Sequence, residues 1–117
     1  MAQKYVRAHE NSQIFNFIQY LIALMRKIEE KMLIAFKERR DWHSGNTRVV
    51  HNVFYETCYV FLHGSCIARK NINNEVIYSF GGYNSMTTRS RLRALGCNVT
   101  VKRGVPYRDG RVWYGDF

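Results

Sequence analysis

The chain has 117 residues, 46% of them apolar and 15% aromatic. That excludes a disordered polymer and leaves room for one hydrophobic core but not two, so a single domain over 1–117 is expected. Eighteen Lys and Arg against nine Asp and Glu give a net charge of +9, which makes a polyanion the leading partner, although such a surplus can also simply aid solubility.

The surplus is uneven. Residues 1–63 carry nine basic and six acidic side chains, whereas 64–117 carry nine basic and three acidic ones. The opening "MAQKYVRAHENSQ" has no apolar core of the kind a secretory signal needs, and its first ten residues read as a frayed or extended lead-in. A long helix is expected over 11–41, with Asn11 or Ser12 as N-cap, because the segment lacks Gly and Pro. Ile14, Ile18, Leu21, Met25, Ile28 and Met32 recur in alternating steps of four and three, with Ala35 next, and Phe15 and Phe17 widen the stripe. One side of such a helix can lie on a sheet. The other either meets a second copy, making a homodimer, or is wrapped by the same sheet. The most apolar run, "IFNFIQYLIALM", is 12 residues long and interrupted by Asn16 and Gln19, too short and too polar to span a membrane.

After Gly45 the period shortens to two. "NTRVVHNVFYETCYVFLHG" is rich in β-branched and aromatic residues and breaks near Asn52; Gly64 turns the chain into "SCIARK", and "NINN" turns it into "EVIYSF". This predicts a β-meander of three or four antiparallel strands over 46–80. A short basic helix follows over 86–96, capped by Thr87 and closed by Gly96, with Thr88, Leu92 and Leu95 facing the core. Arg89 and Arg93 then point away from the leucines, and Arg91 flanks them. The rest, 97–115, reads as a strand with Cys97, Val99 and Val101 inward, then a hairpin turning at Asp109-Gly110. The fold class is α+β: a long N-terminal helix on an antiparallel meander, a short basic helix and a C-terminal hairpin.

Cys58, Cys66 and Cys97 are odd in number and irregularly spaced, which argues against a disulfide scaffold and for a reducing compartment. His63 and Cys66 make one poor metal-ligand pair, so neither a metal nor a cofactor is expected. The carboxylates Glu56, Glu75, Asp109 and Asp116 stand singly, unlike a metal-dependent nuclease, and the chain is not expected to be an enzyme. A remote alternative is a metal-free nuclease using His51 and His63.

The pattern "NTRV…VFLHGSCIA…SFGGYNSMTTRSRLRALG" resembles a family of small proteins of tailed bacteriophages. The residues that carry it are Asn46, Thr47, Leu62, His63, Gly64, Gly82, Tyr83, Thr87, Thr88, Arg91 and Leu92. The resemblance implies a phage origin and a β-meander followed by a helix, and it brings no activity. Joined to the reducing compartment and the lack of a signal or span, it makes the host cytoplasm the expected location.

The functional expectation is therefore a small basic protein that binds RNA, DNA or a nucleoprotein complex. Its contacts would be Arg69, Lys70, Tyr83, Thr87, Arg89, Arg91, Arg93, Lys102, Arg103, Arg108 and Arg111, with aromatics of the hairpin available for base stacking. The alternative is a protein-binding inhibitor of a host or defence system, of anti-CRISPR or anti-restriction type. It would dock through the long helix or the basic patch.

Overall fold

The absence of any Gly or Pro before Gly45 lets the first helix run without a break. In a computed structural model that describes residues 2–117, with side chains from Ser12 onward, α1 extends from Ala2 to Glu38. It thus starts nine residues before the expected cap. The helix-forming run "AQKYVRAHE" supplies nothing to stop it, and it continues through Asn11 and Ser12, so neither is its N-cap. At the other end Arg39 takes a left-handed conformation, φ 54°, and Arg40 N–H returns to the Ala35 carbonyl at 3.0 Å. That closure normally uses glycine. Here the Arg39 guanidinium supports it, donating to the carbonyls of Glu56 and Asn71 and to Asn74 Oδ1.

The meander has five strands rather than three or four. They are β1 (Trp42–Ser44), β2 (Thr47–Asn52), β3 (Thr57–Leu62), β4 (Ser65–Lys70) and β5 (Val76–Tyr78), antiparallel and in sequence order. The extra strand, β1, lies in the segment that sequence composition assigns to the helix end. It exists because the two-residue turn Gly45-Asn46 pairs it with β2. Between Val60 and Phe61 the register shifts, so Ile67 is the unpaired extra residue of β4.

A loop leads to α2 (Met86–Ala94), and β6 (Val99–Lys102), β7 (Val105–Arg108) and β8 (Arg111–Val112) form a second, three-stranded antiparallel sheet. The β7–β8 turn is at Asp109-Gly110, as expected, and a second turn of the same kind at Arg103-Gly104 makes β6 part of the same unit.

Burial alternates cleanly along β3: Cys58, Val60 and Leu62 are buried, while Thr57, Tyr59 and Phe61 are half-exposed. The inward residues join Val49, Ile67 and Ala68 to Met32, Ala35 and Phe36 of α1 and to Leu92 and Leu95 of α2. Phe80 links this core to the small sheet through Trp113, ring centroids 4.8 Å apart. Both helices therefore cover one face of the five-stranded sheet, and the other face stays open.

Candidate nucleic-acid interface

The "GGYNSMTTRS" stretch does build a capped helix, but its cap is Ser85 rather than Thr87. Ser85 Oγ accepts the Thr88 N–H at 3.1 Å and lies 2.9 Å from Thr88 Oγ1. Gly96 closes α2 at φ 105°, as expected. Gly81 is forced by close approach: a Cβ there would sit 2.8 Å from Ser65 Cβ. Thr88, Leu92 and Leu95 face the core as expected.

Two of the candidate phosphate contacts lie inside the fold. Arg91 is 3% exposed; its Nε donates to Thr47 Oγ1 at 3.2 Å, and Nη1 lies 3.6 Å from Glu29 Oε2. Ser90 Oγ donates to the same Glu29 carboxylate at 2.9 Å. Thr47 in turn donates to Asn46 Oδ1, and Asn46 Nδ2 sits 3.1 Å from His63 Nε2. Asn46, Thr47, His63 and Arg91, four of the residues that carry the family resemblance, are thus one chain of polar contacts tying α2 and α1 to the start of β2. Sequence periodicity puts Arg91 beside the leucine stripe; only the crossing of α1 supplies the carboxylate that draws it inward.

Lys70 is 7% exposed and plugs the end of α1. Its ammonium donates to the Phe36 carbonyl and lies 4.5 Å from the Phe36 ring centroid. Burial, helped by the neighbouring Arg39, lowers its pKa from the ordinary lysine value. It is a helix-capping cation.

Other cations are engaged locally. Arg89 donates to the Asn84 carbonyl and to Asn84 Oδ1 at 3.1 and 2.7 Å, so loop and arginine bind each other. Arg93, exposed, donates to the Val99 carbonyl at 3.2 Å. Arg108 lies between Tyr78 and Trp113, 5.1 Å from each ring centroid, with Asp109 at 4.0 Å. Lys102, Arg103 and Arg111 are exposed, but they occupy opposite ends of the small sheet. Tyr83 is exposed and Thr87 half-buried at the start of α2. The expected site is thus dispersed.

What the fold assembles instead is a surface on the open face of the large sheet. Antiparallel register sets two adjacent rows across the strands. In one, His43, Arg48, Phe61 and Cys66 are successive cross-strand partners; in the other, Val50, Tyr59, Arg69 and Ile77 are. Tyr59 and Phe61 have ring centroids 6.0 Å apart with planes inclined by 30°. Arg48 and Arg69 are exposed on either side of them, and the Arg69 guanidinium lies 5.1 Å from the Phe117 ring. Shallow depressions flank the pair. One is lined by His43, Asn46, Arg48, Phe61 and His63, the other by Thr57, Tyr59, Arg69, Asn71, Glu75 and Ile77. Beyond the second row, the β2–β3 turn holds Phe54 96% exposed, and Asn52 Oδ1 fixes the turn by accepting the Phe54 and Tyr55 N–H groups.

Of the expected contacts only Arg69 belongs to this face. Arg48, Tyr59, Phe61 and Phe54 were available in the sequence as alternating residues of "TRVVHNVFYETCYVF". Alternation alone does not say which face the helices cover.

His51 and His63 are not brought together. His63 pairs beside Asn46, five residues along β2 from His51, a separation of about 17 Å. Burial raises the pKa of all three cysteines, which keeps them as thiols. Among the described residues, no three His, Cys, Asp or Glu side chains group as metal ligands. No helix among them is long and apolar enough to cross a membrane.

No curated protein and no solved structure matches the chain. The model of one family does, over residues 25–116, which takes in the last part of α1 and both sheets but leaves out the first two-thirds of that helix. That span is most of the chain, and by it the chain belongs to a phage protein family, the Kyanoviridae Gp96 protein family.

Proposed function

We propose that this phage protein binds single-stranded nucleic acid on the open face of its five-stranded sheet. The observation that carries the reading is the Tyr59–Phe61 pair, half-exposed, with an exposed arginine in each cross-strand row. Aromatic rings on a sheet stack on unpaired bases regardless of their identity, each stacked base contributing about 1–3 kcal/mol. Arg48 and Arg69 supply phosphate contacts across the same rows, and Phe54 offers a further ring beyond them. A base-paired duplex keeps its base faces stacked internally, so a flat aromatic platform favours single strands. The net charge of +9 adds a long-range, sequence-independent attraction.

The test is fluorescence anisotropy with labelled single-stranded and double-stranded DNA and RNA, at about 50 and about 200 mM salt. The expected result is a preference for single strands that weakens with salt and is lost in Tyr59→Ala, Phe61→Ala. Equal binding of duplexes, unaffected by those substitutions, would overturn the sheet reading and return attention to the exposed cations of α2 and the hairpin. No binding at the lower salt would favour the inhibitor reading.

A further inference from the structure

The N-terminal part of α1 leaves the body of the protein. Its described tertiary contacts lie at the C-terminal end, where Glu29 meets Ser90 and Arg91, and where Met32, Ala35 and Phe36 are buried. A helix of this length measures about 55 Å. The molecule accordingly extends 67 Å in one direction against 31 and 20 Å in the others. On the projecting part Ile14, Phe15, Phe17, Ile18, Leu21 and Leu24 are 41–62% exposed. Met32, expected on the partner face, is completely buried by the chain's own sheet.

These side chains form one stripe. At about 100° per residue they span roughly 180° of the helix, with Phe15 and Leu24 at the two edges and Gln13, Asn16 and Gln19 on the other side. Between Ser12 and Met25 there is no Asp, Glu, Lys or Arg. A helix segment that lies on a membrane surface carries Lys and Arg along its polar face, and in α1 these flank the apolar stretch rather than stand opposite it. On a chain of charge +9, it is also the surface where two copies meet with least repulsion.

We infer that a second copy of the same chain covers this stripe, helix against helix and antiparallel. Area supports the pairing: the six side chains expose roughly 600 Å² per copy, so a pairing that covers most of them and their half-buried neighbours approaches about 1,200 Å² in all, the lower end of specific interfaces. The orientation follows from where the seam runs. Its C-terminal end, at Met32 and Ala35, is occupied by the chain's own sheet. A parallel partner would bring its whole body, sheet and second helix included, into that same space, whereas an antiparallel partner brings only the first turns of its α1 there. An antiparallel partner lays its projecting part against this one and carries its body to the far end. The two basic bodies are then about 50 Å apart, many screening lengths at physiological salt.

The experiment is sedimentation equilibrium of the full chain without nucleic acid, over about 1–100 µM, the range in which an interface of this size is populated. A mass of twice the 13.9 kDa chain is expected. The double variant Ile18→Glu, Leu21→Glu should be monomeric, its self-association weakened at least about 100-fold, because like charges replace the seam centre on both copies. Its thermal transition should remain, since those residues lie outside the core. A spin label at Lys37→Cys in a Cys66→Ser background should report an inter-copy distance of about 50 Å. A monomer throughout that range, or a dimer that survives the double substitution, overturns the inference and leaves the stripe to a different protein. A label distance below about 30 Å overturns the antiparallel arrangement. The result does not depend on nucleic acid, and the monomeric variant should still bind single strands if the sheet reading is correct.

Discussion

Two regions of this protein carry arginines beside hydrophobic residues, and they use them in opposite ways. On α2, "RSRLR" presents three guanidinium groups within five residues, yet Arg91 is buried against Glu29 and Thr47, Arg89 is turned onto Asn84, and Arg93 holds the Val99 carbonyl. On the open sheet face, Arg48 and Arg69 are far apart in sequence, exposed, and aligned with two aromatic rings by strand register. The denser cluster is mostly engaged within the fold, and the sparser one is the surface we propose for the ligand. A guanidinium has five donors, and a nearby carbonyl or carboxylate in the fold competes with any external phosphate.

Substitutions in each region should separate the two uses. The largest effect is expected at Arg91. Arg91→Ala leaves Glu29 partly buried beside α2 and Thr47 without its donor, and should lower unfolding stability by about 3–5 kcal/mol. Chemical denaturation measures it; a fully stable Arg91→Ala variant with weakened nucleic-acid binding would reverse the assignment of this arginine.

Next come the platform rings. Tyr59→Ala and Phe61→Ala should each weaken single-strand binding by about 1–3 kcal/mol, roughly 5- to 150-fold in Kd. Because both rings are half-exposed, the thermal transition should move much less than for Arg91→Ala. Losing fold and binding together would make the pair a packing feature.

The flanking cations should act through salt. Removing Arg48 or Arg69 as Gln should reduce the slope of log K against log salt by about 0.7 each, the value for one single-strand phosphate contact. Arg93→Gln should change that slope less. The reverse order would restore α2 as the contact surface.

The smallest effect concerns pH. Burial raises the thiol pKa of Cys58, Cys66 and Cys97 above the ordinary 9.0, so the folded state holds these protons longer than the unfolded chain does. Their contribution is complete below pH 9.0 and is lost as pH rises through the folded values. The Tyr78 hydroxyl, raised from 10.0 by burial, acts in the same direction. Lys70, lowered from 10.5, works in the other, because its buried ammonium is relieved on deprotonation. The thiols and the phenol should each lower the melting temperature as pH rises above 9.0, and Cys97→Ala should remove one of those contributions, leaving the variant less sensitive than the parent to pH in that range.

Much of the fold is legible in the residues. The glycine-free apolar stretch made the long helix readable, the change of period after Gly45 marked the meander, and Asp109-Gly110 marked the closing hairpin. Even the inward side of α2 follows from the spacing of Thr88, Leu92 and Leu95. The boundaries were less readable. The start of α1 fails because Asn11 and Ser12 are good caps that the chain has no need to use, and β1 is missed because Trp42–Ser44 is too short to show a period.

The candidate site was hardly legible, since Arg69 is its single residue among the sequence-based contacts. Period two shows that Tyr59 and Phe61 share a face with Thr57, and that Cys58 and Val60 share the other. It does not show which face two helices will cover. Local chemistry along the chain set the kinds of element, their order, the inward residues of α2 and the excess of positive charge. Packing between distant segments settled which cations stay exposed, which sheet face stays open, and that the long helix outruns the sheet beneath it. Those are properties of long-range contact: a side chain's charge is local information, whereas its availability depends on what the rest of the chain brings to it.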